Sequence, residues 1–209
     1  MKKRMITIIM LFVFITVLST GCIIGLIKDP NTIGDWITLP EDGTKLTYYT
    51  IIYKNGVTQE TETSTSEIVD VIEKDDYKGV HYEDTRGIDY YHWVDIENDQ
   101  FLEGYYSEPS YYDIVLLDIP VEIGTSWYEY NGTDRKYEIT EIGVTKTVDA
   151  GTFYDVIVVE SEYSDSGGEY YDYYYISQGS GVIIYEMHQV TDMVYGNIHS
   201  THIELTDID

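Results

Sequence analysis

Cysteine is nearly absent from this chain of 209 residues: Cys22 stands alone. No intrachain disulfide can form, and once Cys22 is given another role no thiol is left to act as nucleophile or metal ligand. Basic residues are scarce too, 12 Lys+Arg against 38 Asp+Glu. Three of the twelve, Lys2, Lys3 and Arg4, sit at the extreme N-terminus, so the rest of the chain carries 9 bases against 38 acids, a net charge of −29. A field of that sign repels phosphate backbones and anionic lipid head groups, which argues against nucleic-acid binding and against docking through a basic patch. Outside the N-terminal stretch no 11-residue window repeats its apolar residues every 3.6 positions, so amphipathic helices are not expected. Gly-x-Ser-x-Gly and phosphate-cradling glycine loops are missing as well.

What is present is β-forming. Hydrophobic residues make up 43% and aromatic ones 14%, too rich for a disordered chain and enough for one substantial core. The 23 tyrosines set the character, and seven of them fall between Tyr163 and Tyr185. That region reads as three strands, Thr152–Tyr163, Glu169–Ile176 and Val182–Gln189, parted by glycine-bearing breaks. It is expected to be a meander at the centre of the domain. Further β-type runs recur every 8 to 12 residues: Lys45–Lys54, Val57–Ser64, Thr65–Glu73, Val80–Asp84, Ile88–Ile96, Gln100–Tyr106, Tyr111–Leu117, Thr125–Tyr130, Arg135–Ile142, Val144–Val148 and Asn197–Leu205. Asn55-Gly56 and Asn131-Gly132 mark tight hairpin turns. The expected fold is all-β: an extended, mostly antiparallel sheet of about a dozen strands, curved into a sandwich or partly open barrel.

Residues 1–22 read as an export signal: a basic start, a hydrophobic run from Met5 to Leu18, then Ser19, Thr20 and Gly21 before Cys22. This resembles a lipoprotein signal in which Cys22 is lipidated and becomes the first mature residue, although the large aliphatic residue lies four places before the cysteine rather than three. A second reading stays open. No charge occurs between Met5 and Ile27, a span long enough to cross a bilayer as an uncleaved anchor. Both place the remaining chain on the outer side of the cytoplasmic membrane or beyond it. Residues 23–36 are expected to be a tether and 37–209 a single β domain.

Two stretches echo each other. Leu39-Pro40-Glu41-Asp42-Gly43-Thr44-Lys45-Leu46 and Ile119-Pro120-Val121-Glu122-Ile123-Gly124-Thr125-Ser126-Trp127 both run aliphatic, Pro, spacer, Gly-Thr, one residue, large apolar. Each reads as a turn feeding a strand whose Leu46 or Trp127 points inward. The second, with the strand start Gly151–Val156 and the Tyr173-Tyr174-Tyr175…Gly179-Ser180-Gly181-Val182-Ile183 hairpin, resembles a broad set of mostly uncharacterised prokaryotic surface lipoproteins. The resemblance covers about Leu117–Glu186. It implies an extended antiparallel sheet and brings no catalytic residues.

No chemistry-bearing constellation stands out. His199 and His202, three apart on a strand, face opposite ways. His188 could neighbour either across a hairpin, but zinc would need further ligands, so His81, His92, His188, His199 and His202 are read as surface or sheet-lining residues. In Asp95–Tyr106 the calcium-loop positions that require glycine and a bidentate carboxylate hold Gln100 and Tyr106. No catalytic, metal or cofactor-binding residue is assigned. Asn131-Gly132-Thr133 is a possible glycosylation site in an exported chain. The expected role is a non-catalytic binding or structural module of the envelope, facing a protein or polymer. The alternative is a carrier of an apolar ligand such as a lipid.

Overall fold

The structure, a computed structural model, describes Asp29 and residues 31–105, 109, 113–129, 134–192 and 195–209. The leader with Cys22, and Asn131, lie outside those residues.

Among the described residues, twelve antiparallel strands form one sheet. The first six are β1 (Lys45–Lys54), β2 (Val57–Glu73), β3 (Tyr77–Asp84), β4 (Asp89–Asp95), β5 (Gln100–Gly104) and β6 (Ile114–Leu117). The second six are β7 (Ser126–Tyr128), β8 (Lys136–Val148), β9 (Gly151–Ser164), β10 (Gly168–Ser177), β11 (Ile183–Asp192) and β12 (Ile198–Ile208). Each set is a meander, and β1 pairs with β12, so the order runs β6 to β1, then β12 to β7. The β9–β11 meander is as expected, but the centre of the sheet is the β1–β12 junction of the two halves. Asn55 (φ 52°) and Gly56 (φ 76°) turn the first hairpin, the paired left-handed geometry that Asn-Gly favours.

Two expected breaks are absent. Val57–Glu73 is one strand because nothing in it stops pairing: Ser64 opposes Tyr48 and Thr65 opposes Thr47. Lys136–Val148 is also continuous, with Gly143 (φ 75°) inside a stretch of register shifts rather than ending a strand. Such bulges add local twist, and the extra residues fall on β2, β6, β8, β9, β11 and β12. The sheet therefore curls strongly. It is not closed into a barrel, yet its edges approach: Trp127 on β7 donates its indole N–H to the Val115 carbonyl on β6 at 2.9 Å.

The hollow of the curl is filled. Trp93, Phe101, Leu117, Tyr137, Ile157 and Ile176 form one buried cluster, and Leu46, Ile68, Val80, Tyr82, Ile184 and Leu205 another. The segment before residue 37, read above as tether, contributes to this core. A short 3-10 turn, Ile33–Asp35, inserts Ile33, with Ile37 following. The Trp36 indole closes it by donating to the Asp29 carbonyl at 2.8 Å. The chain passes so close to Gly181 that a side-chain carbon there would lie 2.8 Å from the Thr38 carbonyl oxygen.

The echoed turns are alike in geometry. Gly43 (φ 79°) and Gly124 (φ 93°) are both left-handed. Gly43 N–H donates to Ile68 O and Ile68 N–H returns to Thr44 O; Gly124 N–H donates to Ile139 O and Ile139 N–H returns to Thr125 O. Leu46 and Trp127 both point into the core.

Candidate binding site

Strand alternation sorts β10 into Asp172, Tyr174 and Ile176 on the concave face and Tyr171, Tyr173 and Tyr175 on the convex face. Burying Asp172 demands partners. Its carboxylate accepts from Arg135 (2.9 Å), from His188 Nδ1 (3.0 Å) and from the Ser161 hydroxyl (3.2 Å), while His188 Nε2 meets Glu186 at 2.9 Å. Burial alone would lower the His188 pKa. Hydrogen bonds to Asp172 and Glu186, and their charges, outweigh it and push the value up to about 10, so the imidazole is a cation at neutral pH. A second concave group lies on β3–β5. Tyr82 stacks on Tyr90 at 4.6 Å and meets His92 edge-on at 4.9 Å, and His92 Nε2 meets Glu103 at 3.3 Å. Burial drives the Tyr174 and Tyr82 phenols upward, assisted by the carboxylates. These phenols stay neutral. The Asp172 group is thus paired within itself and serves to hold the curl together, whereas among the described residues the Tyr82 hydroxyl and His92 Nδ1 are buried without a hydrogen-bond partner.

Recesses open elsewhere. On the convex side of β7–β10 a groove of about 410 Å³ continues into one of about 240 Å³, sharing Lys136, Glu162 and Tyr171. At the end of the hollow, an apolar cavity of about 610 Å³ lies between the N-terminal segment and β2–β4, lined by Ile33, Ile37, Leu39, Val71, Val94 and Ile96.

The histidines fall as sheet-lining residues. His202 opposes Met187 and His199 opposes Val190, on opposite faces, and His188 opposes Thr201. His202 Nδ1 pairs with the Tyr185 hydroxyl at 2.8 Å. Among the described residues no group of three or more His, Cys, Asp or Glu could hold a metal. The Asp95–Asp99 stretch is a turn in which Asn98 donates from its backbone and side chain to Asp95. No described helix is long and apolar enough to cross a membrane. The Arg135–Asp172–His188 network was not found from sequence. The signal for it was a charged residue at an inward position, Asp172 in step with Tyr174 and Ile176.

No family model matches the chain, and no curated protein matches it. Solved structures of similar shape include a presumed exported protein of YmcC-like fold from Bacteroides fragilis, at 12% identity and TM-score 0.48, covering 83% of this chain and 99% of that one. Another is a presumed lipoprotein from Parabacteroides distasonis, at 14% and 0.41, covering 82% and 97%. The hypothetical lipoprotein YmcC from Escherichia coli follows at 8% and 0.33, covering 77% and 83%. At these scores the likeness carries no argument about role.

Proposed function

We propose that this protein is an extracytoplasmic, membrane-anchored β module that binds a component of the cell envelope without catalysing a reaction on it. The observation that supports this is the convex groove on β7–β10, where Tyr128, Tyr171 and Tyr173 stand beside carboxylates on a strand-built, rigid surface. Tyrosine supplies large contact area at low entropic cost, with a hydroxyl to orient a partner. The leader supports the location: the chain begins with three bases, a long apolar run and Cys22. Proximity crosslinking in intact cells is expected to return a reproducible envelope partner. Its absence counts against the reading.

A second reading, carriage of an apolar ligand, is favoured by one feature, the cavity beneath the N-terminal segment. Its volume lies within the range of small-molecule sites. Native mass spectrometry of protein purified from its host is expected to show a copurifying lipid-like mass on that reading, and none on the first.

A further inference from the structure

The register of β7–β10 lays two rows across the convex groove. One runs Tyr128, Lys136, Glu162, Tyr171, and the other Glu138, Glu160, Tyr173. In the second, Glu138 stands directly opposite Glu160. Like charges in that relation destabilise a sheet. The groove's lysine does not relieve the conflict for both, because Lys136 is bound to Glu138. Among the described residues neither Glu160 nor Glu162 forms a salt bridge. A local rule broken with one lysine set among three glutamates, Glu138, Glu160 and Glu162, marks a surface shaped for something other than stability.

The same face shows what its tyrosines accept. Two positions along β10 from Tyr173, Tyr175 pairs with Tyr185, and the Lys146 ammonium rests over both rings, 4.2 and 3.7 Å from their centroids. A lysine of this chain thus already uses the convex tyrosines as a cation platform.

We propose that the convex groove docks an extended, cationic polypeptide segment, whose alternate lysine or arginine side chains lie over Tyr171 and Tyr173 between Glu160 and Glu162. This rests on the binding-module reading and gives its partner a chemistry. Charge complementarity selects the cation: the groove opposes carboxylates to one committed lysine, and the whole chain carries −26, which steers basic partners toward it. Spacing selects a polypeptide over a point-like amine. Tyr171 and Tyr173 are two residues apart on one strand, about 7 Å, the repeat at which an extended peptide presents side chains to one side.

The test is a fluorescence-anisotropy titration of a labelled Lys-Ser alternating octapeptide at physiological salt. The panel is the wild-type chain, Glu160→Gln/Glu162→Gln, Tyr171→Ala/Tyr173→Ala and a control, Glu60→Gln/Glu83→Gln, which removes the same charge from exposed sites on β2 and β3. Both groove variants are expected to weaken binding by about tenfold or more, with the control within about twofold. Equal weakening by the control, or no binding to wild type, overturns the proposal. A photo-crosslinker at position 173 in cells separates this failure from that of the parent reading. Capture of a partner through a neutral or acidic surface overturns the cationic chemistry and leaves the module, whereas no capture at all removes both.

Discussion

His188 offers the sharpest test of how the curl is held. Its imidazole lies between Asp172 and Glu186, with Arg135 on the far side of Asp172 and the Tyr174 ring edge-on at 5.8 Å. Folding raises its pKa from 6.5 to about 10. Below pH 6.5 folded and unfolded chains both hold the proton, and the stabilisation is fully present. Between 6.5 and about 10 the folded chain holds one proton more, so stability falls as pH rises, and above 10 it is gone. A lift of that size corresponds at most to about 5 kcal/mol. A third of the side chain, 34%, remains exposed, and solvent screening reduces the figure to about 2 kcal/mol. In urea unfolding at pH 6 to 9.5, wild type should therefore exceed His188→Gln by about 2 kcal/mol at pH 6, with the gap closing toward pH 9.5. Stopping there avoids the phenols, whose titration above pH 10 has the same sign. A gap that is constant with pH would refute the reasoning, because it would mean that His188 contributes packing rather than charge.

Gly79→Ala should destabilise by about 1–3 kcal/mol, since a methyl there would sit 2.0 Å from the Trp93 ring; near-UV circular dichroism should show the displaced indole. Asp84→Ala should cost about 2–4 kcal/mol in urea unfolding, because its carboxylate accepts from Arg86 and Ile88 N–H groups and pairs with the Arg86 guanidinium at 2.6 Å. Burial would raise the Asp84 pKa but those donors lower it, so this contribution should fade as pH falls into the acid range. On the lipoprotein reading, Cys22→Ser should block lipid attachment and leave an uncleaved or mislocalised precursor, which intact-mass measurement of membrane-extracted protein checks. Wild-type protein retaining Met1–Gly21 with an unmodified Cys22 would favour the transmembrane anchor instead.

Most of the strands were legible because β-branched and aromatic runs alternate with Gly, Asn and Asp turns, and the Lys45–Lys54 strand and its Asn55-Gly56 turn fall where the composition puts them. Breaks inside β2 and β8 were misread because threonine and glycine weaken a strand pattern without stopping its hydrogen bonds. The concave network was less visible for a different reason. Asp172 and His188 lie on β10 and β11 and Arg135 immediately before β8, and only the register of β8 on β9, β9 on β10 and β10 on β11 brings them together. The role of Ile33 was hidden because a three-residue turn has no periodicity to read.

The two halves of the chain repeat more than a sequence echo. Reading the sheet from one edge, β6 descends to β1 and then β12 descends to β7, so the second meander is placed beside the first by translation rather than by reflection. Under that shift β1 corresponds to β7 and β2 to β8. The two Gly-Thr turns bond to Ile68 on β2 and Ile139 on β8, the strands that correspond. One job is therefore performed twice, once in each half: a left-handed glycine reverses the chain, it and the following threonine clamp the next strand, and a large apolar residue enters the core. The halves then diverge in what they carry. The first ends beside the apolar cavity under the N-terminal segment, whereas the second presents the convex tyrosine groove. Conserved turn geometry with unlike surfaces is what a scaffold repeated for architecture and specialised for binding would look like, which places the search for a partner on the β7–β10 half.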